Sequence, residues 1–153
     1  MKIRFFKWCN VLLTAMLAVL GYSCKNDDYP VEYGAPSADY HLSGVVTDEA
    51  GNPVGGILVS VEETDYYNDY RDYLASKKSM LGTGEYWMSY TSYGNPNLTK
   101  IIVQDVDGEA NGGEFANDTI DIDYDNAVKI KDGDGHWYYG AWKITQNIKL
   151  KKK

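Results

Sequence analysis

Cysteine and histidine are scarce, at two each in 153 residues. Both cysteines, Cys9 and Cys24, lie near the start, so no disulfide can form within the chain beyond Cys24. A domain built from that stretch is held by its core alone. The two histidines, His41 and His136, are far apart in sequence and no Gly-x-Ser-x-Gly elbow occurs, so nucleophilic catalysis has little support and the chain reads as not an enzyme. No apolar run approaches the roughly twenty residues that a permanent membrane helix needs. Proline is rare, with 4 residues, and no period of a solenoid repeat recurs. Positive charge is short as well. Once residues 1–23 are set aside, 12 basic residues stand against 22 acidic ones, a formal charge of −10. Such a surface repels phosphate backbones, and nucleic acid is excluded as a partner.

The first residues supply what the rest lacks. Lys2, Arg4 and Lys7 precede an apolar stretch from Val11 to Leu20 that only Thr14 interrupts, and small residues follow at Gly21 and Ser23. That order is a secretory signal peptide. Two readings fit "LGYSC". In the first, cleavage falls just before Cys24, whose thiol takes a diacylglycerol and whose new amino group is acylated. Several acyl chains then anchor stably, at about 0.8 kcal/mol per buried methylene. In the second, ordinary cleavage near Ser23 leaves Cys24 a free thiol. The bacterial lipoprotein box normally carries leucine three places before the cysteine. Here Gly21 stands there, with Leu20 one step further out. The following "CKNDD" resembles the surface-export signal of Bacteroidota lipoproteins. That resemblance implies an outer-membrane anchor with the protein at the cell surface, the alternative being the periplasmic face. The expected organisation is a signal peptide over 1–23, a lipidated start and flexible tether over 24–38, and one β-sandwich over 39–153.

Alternation dominates the remainder. Tyr40, Leu42 and the Val45–Val46 pair predict a strand, "DEAGNP" a turn, and Ile57, Val59 and Val61 a second strand with Leu58, Ser60 and Glu62 on its other face. Tyr67, Tyr70 and Leu74 recur at helical spacing and predict a short helix or compact loop. Strands resume with Tyr86, Met88 and Tyr90 on one face and Trp87 on the other, then "NLTKIIVQDVDG", then "DTIDIDYD" with "AVKI" beside it. The last strand text places Trp142, Ile144, Ile148 and Leu150 on one parity. About seven strands with frequent turns make an all-β chain, a single antiparallel sandwich.

Gly44, Val46, Gly51, Pro53, Val54, Val59, Val61, Gly84 and Tyr86 form a pattern that resembles the carboxypeptidase regulatory-like, transthyretin-like sandwich, an Ig-like architecture. Gly51 suits a left-handed turn and Pro53 a loop edge. The aspartate usual before the second glycine is here Thr83. Taken with the lipidation start, "EYGAPSADYHLSGVVTDEAGNPV" and "DVDGEANGGEF" (Asp105 to Phe115), the whole chain resembles the radical SAM-associated lipoproteins of Bacteroidota. That resemblance implies a lipoprotein encoded beside a radical SAM enzyme, with no set activity.

Three groups are candidates for chemistry. Asp105, Asp107 and Glu109 alternate, with Asn111 beyond, and can wrap a Ca²⁺, which takes six to eight oxygens. The same residues also read as an Asp-Gly turn followed by an Asn-Gly-Gly turn. In "KDGDGHWYYG", Asp132, Asp134 and His136 are a small metal cluster or a hairpin loop, with Trp137, Tyr138 and Tyr139 as a stacking platform. Tyr66, Tyr67, Tyr70 and Tyr73 form either a binding face for a glycan or protein or a cap on one open end of the sandwich. The expected function is a surface-anchored, non-catalytic binding or structural module. The alternative is a client or partner of the neighbouring radical SAM enzyme, with an enzyme third. No cofactor is expected apart from the calcium just considered.

Overall fold

The computed structural model describes Trp8 and residues 10–16, 35–65 and 70–153, with only the backbone described at 64, 65, 70 and 71. The chain divides into two units, Met1–Tyr33 and Gly34–Lys153. In the first, residues 10–16 are helical, and Thr14 Oγ1 donates to the Asn10 carbonyl at 2.8 Å. No described helix is long and apolar enough to cross a membrane. Cys24, Tyr66 and Tyr67 lie outside the described residues.

The second unit is all β. Its described strands are β1 (Ser37–Thr47), β2 (Leu58–Asp65), β3 (Tyr70–Lys78), β4 (Glu85–Tyr93), β5 (Thr99–Gln104), β6 (Asp118–Asp121), β7 (Val128–Asp132), β8 (Tyr138–Thr145) and β9 (Ile148–Lys149). They form two packed sheets. One runs β4-β1-β8-β7 with β9 also beside β1, and the other runs β3-β2-β5-β6. The alternation expected from sequence sets the core: Leu42, Val46, Val59, Val61, Tyr86, Ile101, Ile144 and Ile148 are each at most 1% exposed. Each such side chain contributes roughly 1.5–3 kcal/mol by leaving water.

Four expectations need correction. The described strands number nine rather than about seven. The sheets are not wholly antiparallel, because β1 runs parallel to both β8 and β9. Hydrophobic pattern reports which face a residue takes, not the direction of the strand beside it. "AVKI", now β7, pairs with β8 and not with β6, so the chain changes sheets between Asp121 and Val128. Finally, the segment with helical tyrosine spacing contains strand β3, paired antiparallel with β2. The register passes from Val61↔Ala75 to Glu62↔Tyr73, leaving Leu74 as the extra residue of a bulge. A bulge breaks the period of two at that point.

The transthyretin-like pattern residues have local reasons. Gly51 sits at φ 89°, in a turn that Asp48 ties by accepting from the Asn52 N–H at 2.8 Å. At Gly44 a Cβ would stand 1.9 Å from the Gln146 carbonyl oxygen. That same oxygen accepts from the Tyr86 hydroxyl at 2.7 Å, so the close approach of β1 leaves no space for a side chain.

Candidate ligand-binding site

Strand register sets four side chains in one row across the first sheet, the inward Tyr90, Tyr40 and Trp142 and the exposed Lys129 on the edge strand. Tyr90 of β4 pairs with Tyr40 of β1, Tyr40 with Trp142 of β8, and Trp142 with Lys129 of β7. The Tyr40 and Tyr90 rings stack with centroids 5.3 Å apart at 24°. Lys129 Nζ lies 5.6 Å from the Trp142 ring centre, within cation–π range.

One step toward the end of the sandwich the inward residues become small. Ala38 pairs with Ser92, and Gly94 follows on the β4 side. Small side chains beside a bulky row leave room. The result is a cleft of about 400 Å³ lined by Ser37, Ala38, Tyr40, Ser92, Gly94, Pro96, Lys129, Tyr139 and Trp142. Its size falls in the range of about 300–1,000 Å³ typical of small-molecule sites.

Tyr124, in the passage between β6 and β7, backs the row from the other side. Its ring meets Tyr40 edge-on at 5.1 Å and 71°. Its hydroxyl lies 3.0 Å from that of Tyr90 and is also hydrogen-bonded to Thr99 Oγ1, which in turn donates to the Pro96 carbonyl at 2.6 Å. A carbonyl only accepts, so the chain has one consistent direction: Tyr90 to Tyr124 to Thr99 to Pro96. Burial pushes the Tyr90 phenol well up, and pushes that of Tyr40 to about 12 with help from Tyr124. The phenols are therefore neutral across the physiological range.

Two polar groups interrupt otherwise apolar inward stripes. Glu63 continues the parity of Ile57, Val59 and Val61, and Ser92 that of Tyr86, Met88 and Tyr90. Burial raises the Glu63 carboxyl above its ordinary value, and the charge of Asp72, opposite it on β3, adds to this. The nearby Ser92 hydroxyl acts the other way on Glu63. Ser92 is 3% exposed, and its Oγ has no hydrogen-bond partner among the described residues.

Those residues singled out from sequence that are among the described ones are placed elsewhere, with one exception. Asp105, Asp107, Glu109 and Asn111 share the loop after β5. There the Asp105 carboxylate accepts from the backbone N–H groups of Asp107 (3.2 Å), Gly108 (3.0 Å) and Phe115 (2.7 Å). Asp107 accepts from the Asn111 side-chain amide. Asp134 likewise holds its own loop, accepting from the His136 and Tyr138 N–H groups at 2.8 and 3.1 Å. Among the described residues no group of three His, Cys, Asp or Glu side chains converges to hold a metal ion. Tyr70 opens β3 opposite Asp65, and Tyr73 is exposed opposite Glu62. Tyr139 is the exception, since it lines the cleft, while its neighbour Tyr138 donates to Asp39 at 2.8 Å. The two interrupted stripes were visible in sequence: a serine and a glutamate at inward parity are the signal that would have pointed here.

No family model matches the chain, and no curated protein matches it in sequence. Among solved structures, 3-chlorocatechol 1,2-dioxygenase from Rhodococcus opacus 1CP aligns with a TM-score of 0.50 at 14% identity, over 84% of this chain and 63% of that one. Catechol 1,2-dioxygenase from Acinetobacter sp. ADP1, inhibited by bound mercury, aligns with a TM-score of 0.47 at 15% identity, over 82% of this chain and 55% of that one. The chain thus spans less than two thirds of either protein. The first likeness extends to the fold alone. It stands against the expectation of a non-catalytic module in one respect, that this fold is shared with a protein named as an enzyme.

Proposed function

We propose that the cleft takes a small ring-bearing ligand, its flat face against Trp142 and Tyr139 and its polar edge toward Lys129 and Ser92. The observation that carries this reading is the pair of adjacent rows, one of three aromatic rings ending in an exposed lysine, the next of small residues that leave the first accessible. Aromatic faces give rigid contact area, and a lysine over a ring holds a cation where a ligand edge can meet it. Intrinsic fluorescence tests this. Titration with a fragment panel should change the signal in the parent and in Trp87→Ala, whose indole is exposed outside the cleft, but not in Trp142→Ala. A response that survives Trp142→Ala and disappears in Trp87→Ala refutes the site.

Acylation of Cys24 would hold this sandwich at the outer membrane, and "CKNDD" supports an outward-facing leaflet. The pattern from Gly44 to Tyr86 supports a transthyretin-like kinship for the sandwich, and the likeness over the whole chain supports a radical SAM enzyme as partner.

A further inference from the structure

We infer that the ligand of this cleft is a hydroxylated, saturated ring, a saccharide unit, and that Ser92 reads one of its hydroxyls; this rests on the cleft reading above. Polar atoms buried away from water are nearly always paired, and one left alone calls for an explanation. Ser92 Oγ is such an atom, on the cleft wall and without a partner among the described residues. Tyr40, which carries a second hydroxyl, lines the same cleft. Each hydroxyl offers one donor and two acceptor positions. A sugar ring matches both features of the wall, with a C–H face for Trp142 and Tyr139 and rim hydroxyls that donate and accept toward Ser92 and Tyr40. A planar aromatic acid would satisfy the rings and Lys129, but its carboxylate only accepts and offers no donor to the acceptor positions of these hydroxyls. Glu63, beside Ser92, favours the same class, since its carboxyl orients a hydroxyl rather than welcoming an anion.

The test is calorimetric titration of the full chain with methyl hexopyranosides, their monodeoxy analogues, and benzoate. At least one hexopyranoside should bind, and removal of the hydroxyl that meets Ser92 should weaken it about tenfold, the effect of one hydrogen bond. Ser92→Ala should weaken the parent sugar by a similar factor and bind the deoxy sugar as the parent protein does, with the melt almost unchanged. Equal sugar affinity in parent and Ser92→Ala overturns the inference. Benzoate binding without any hexopyranoside binding also overturns it, and leaves the ring-ligand reading standing. Failure of every probe to bind overturns both.

Discussion

Removal of the Asp105 carboxylate should loosen the long loop between β5 and β6, and the size of the effect follows from what it holds. Both oxygens are engaged: one accepts from the N–H groups of Asp107 and Gly108, the other from Phe115 at 2.7 Å. Phe115 is 1% exposed, so the third bond fixes a core ring as well as a turn. The strand-like end of this loop is sewn to the C-terminal residues through Ala116 N–H to Lys151 O at 2.9 Å and Lys153 N–H to Glu114 O at 3.0 Å. Asp105→Ala leaves three N–H donors without their acceptor. At about 1 kcal/mol each, for a half-buried group whose lost partners can be replaced in part by water, the cost is about 2–4 kcal/mol. In a domain of this size that lowers the melting temperature by roughly 8–15 °C. Asp105→Asn keeps one acceptor oxygen and should lose about half as much.

The pH dependence supplies a second arm. Burial opposes ionisation of Asp105, but the backbone N–H groups of Phe115, Asp107 and Gly108 outweigh it and hold the carboxyl below its usual value. The folded-state pKa therefore lies below the unfolded value of about 3.9. The stabilisation is complete above about pH 4 and is lost as pH falls through the folded-state value. Thermal melts of parent and Asp105→Ala should differ at pH 7 and draw together in acid, as pH falls through the folded-state value. A gap under about 1 °C at pH 7, or one that persists unchanged in acid, refutes the assignment of Asp105 as the loop's organiser.

Further outcomes follow from other contacts. Gly44→Ala sets a Cβ against the Gln146 carbonyl and should cost about 1–3 kcal/mol in a urea melt; a neutral result would mean that β1 can move away at no expense. Tyr124→Phe removes the central hydroxyl between Tyr90 and Thr99 and should cost about 1–2 kcal/mol, whereas a stabilised variant would contradict the hydrogen-bond chain. Millimolar Ca²⁺ should leave the melt unchanged relative to chelator, since the Asp105 oxygens already meet backbone donors; a clear rise would show an ion displacing them. Cys24→Ala should release the protein from membranes, and native intact mass should carry the acyl chains, with any further mass reporting a radical SAM modification. Unaltered membrane partition of the variant would remove the anchor.

Face and burial were legible along the chain because a strand's side chains alternate strictly. Tyr86, Met88 and Tyr90 turned inward and Trp87 outward as the pattern requires, and Ile144, Ile148 and Leu150 kept one parity across the break between β8 and β9. The turn at Gly51 could be read for the same kind of local reason, since a left-handed conformation is a property of a single position. Strand partners were not legible. A period of two says which way a residue points and is silent on the strand it meets, so the parallel β1–β8 pairing and the move of β7 to the first sheet came only with the assembled sheets. The bulge at Leu74 erased the period altogether.

Apart from the serine and glutamate that break two inward stripes, the cleft belongs to this second kind of information. Tyr40, Tyr90, Lys129 and Trp142 are spread over four strands, and nothing in their spacing announces one row. Sequence alone determined an all-β domain with its polar and apolar faces, because those depend on neighbours along the chain. The tertiary structure alone decided that three rings, a lysine and an unpaired serine meet at one end, because register between strands distant in sequence is set by sheet packing.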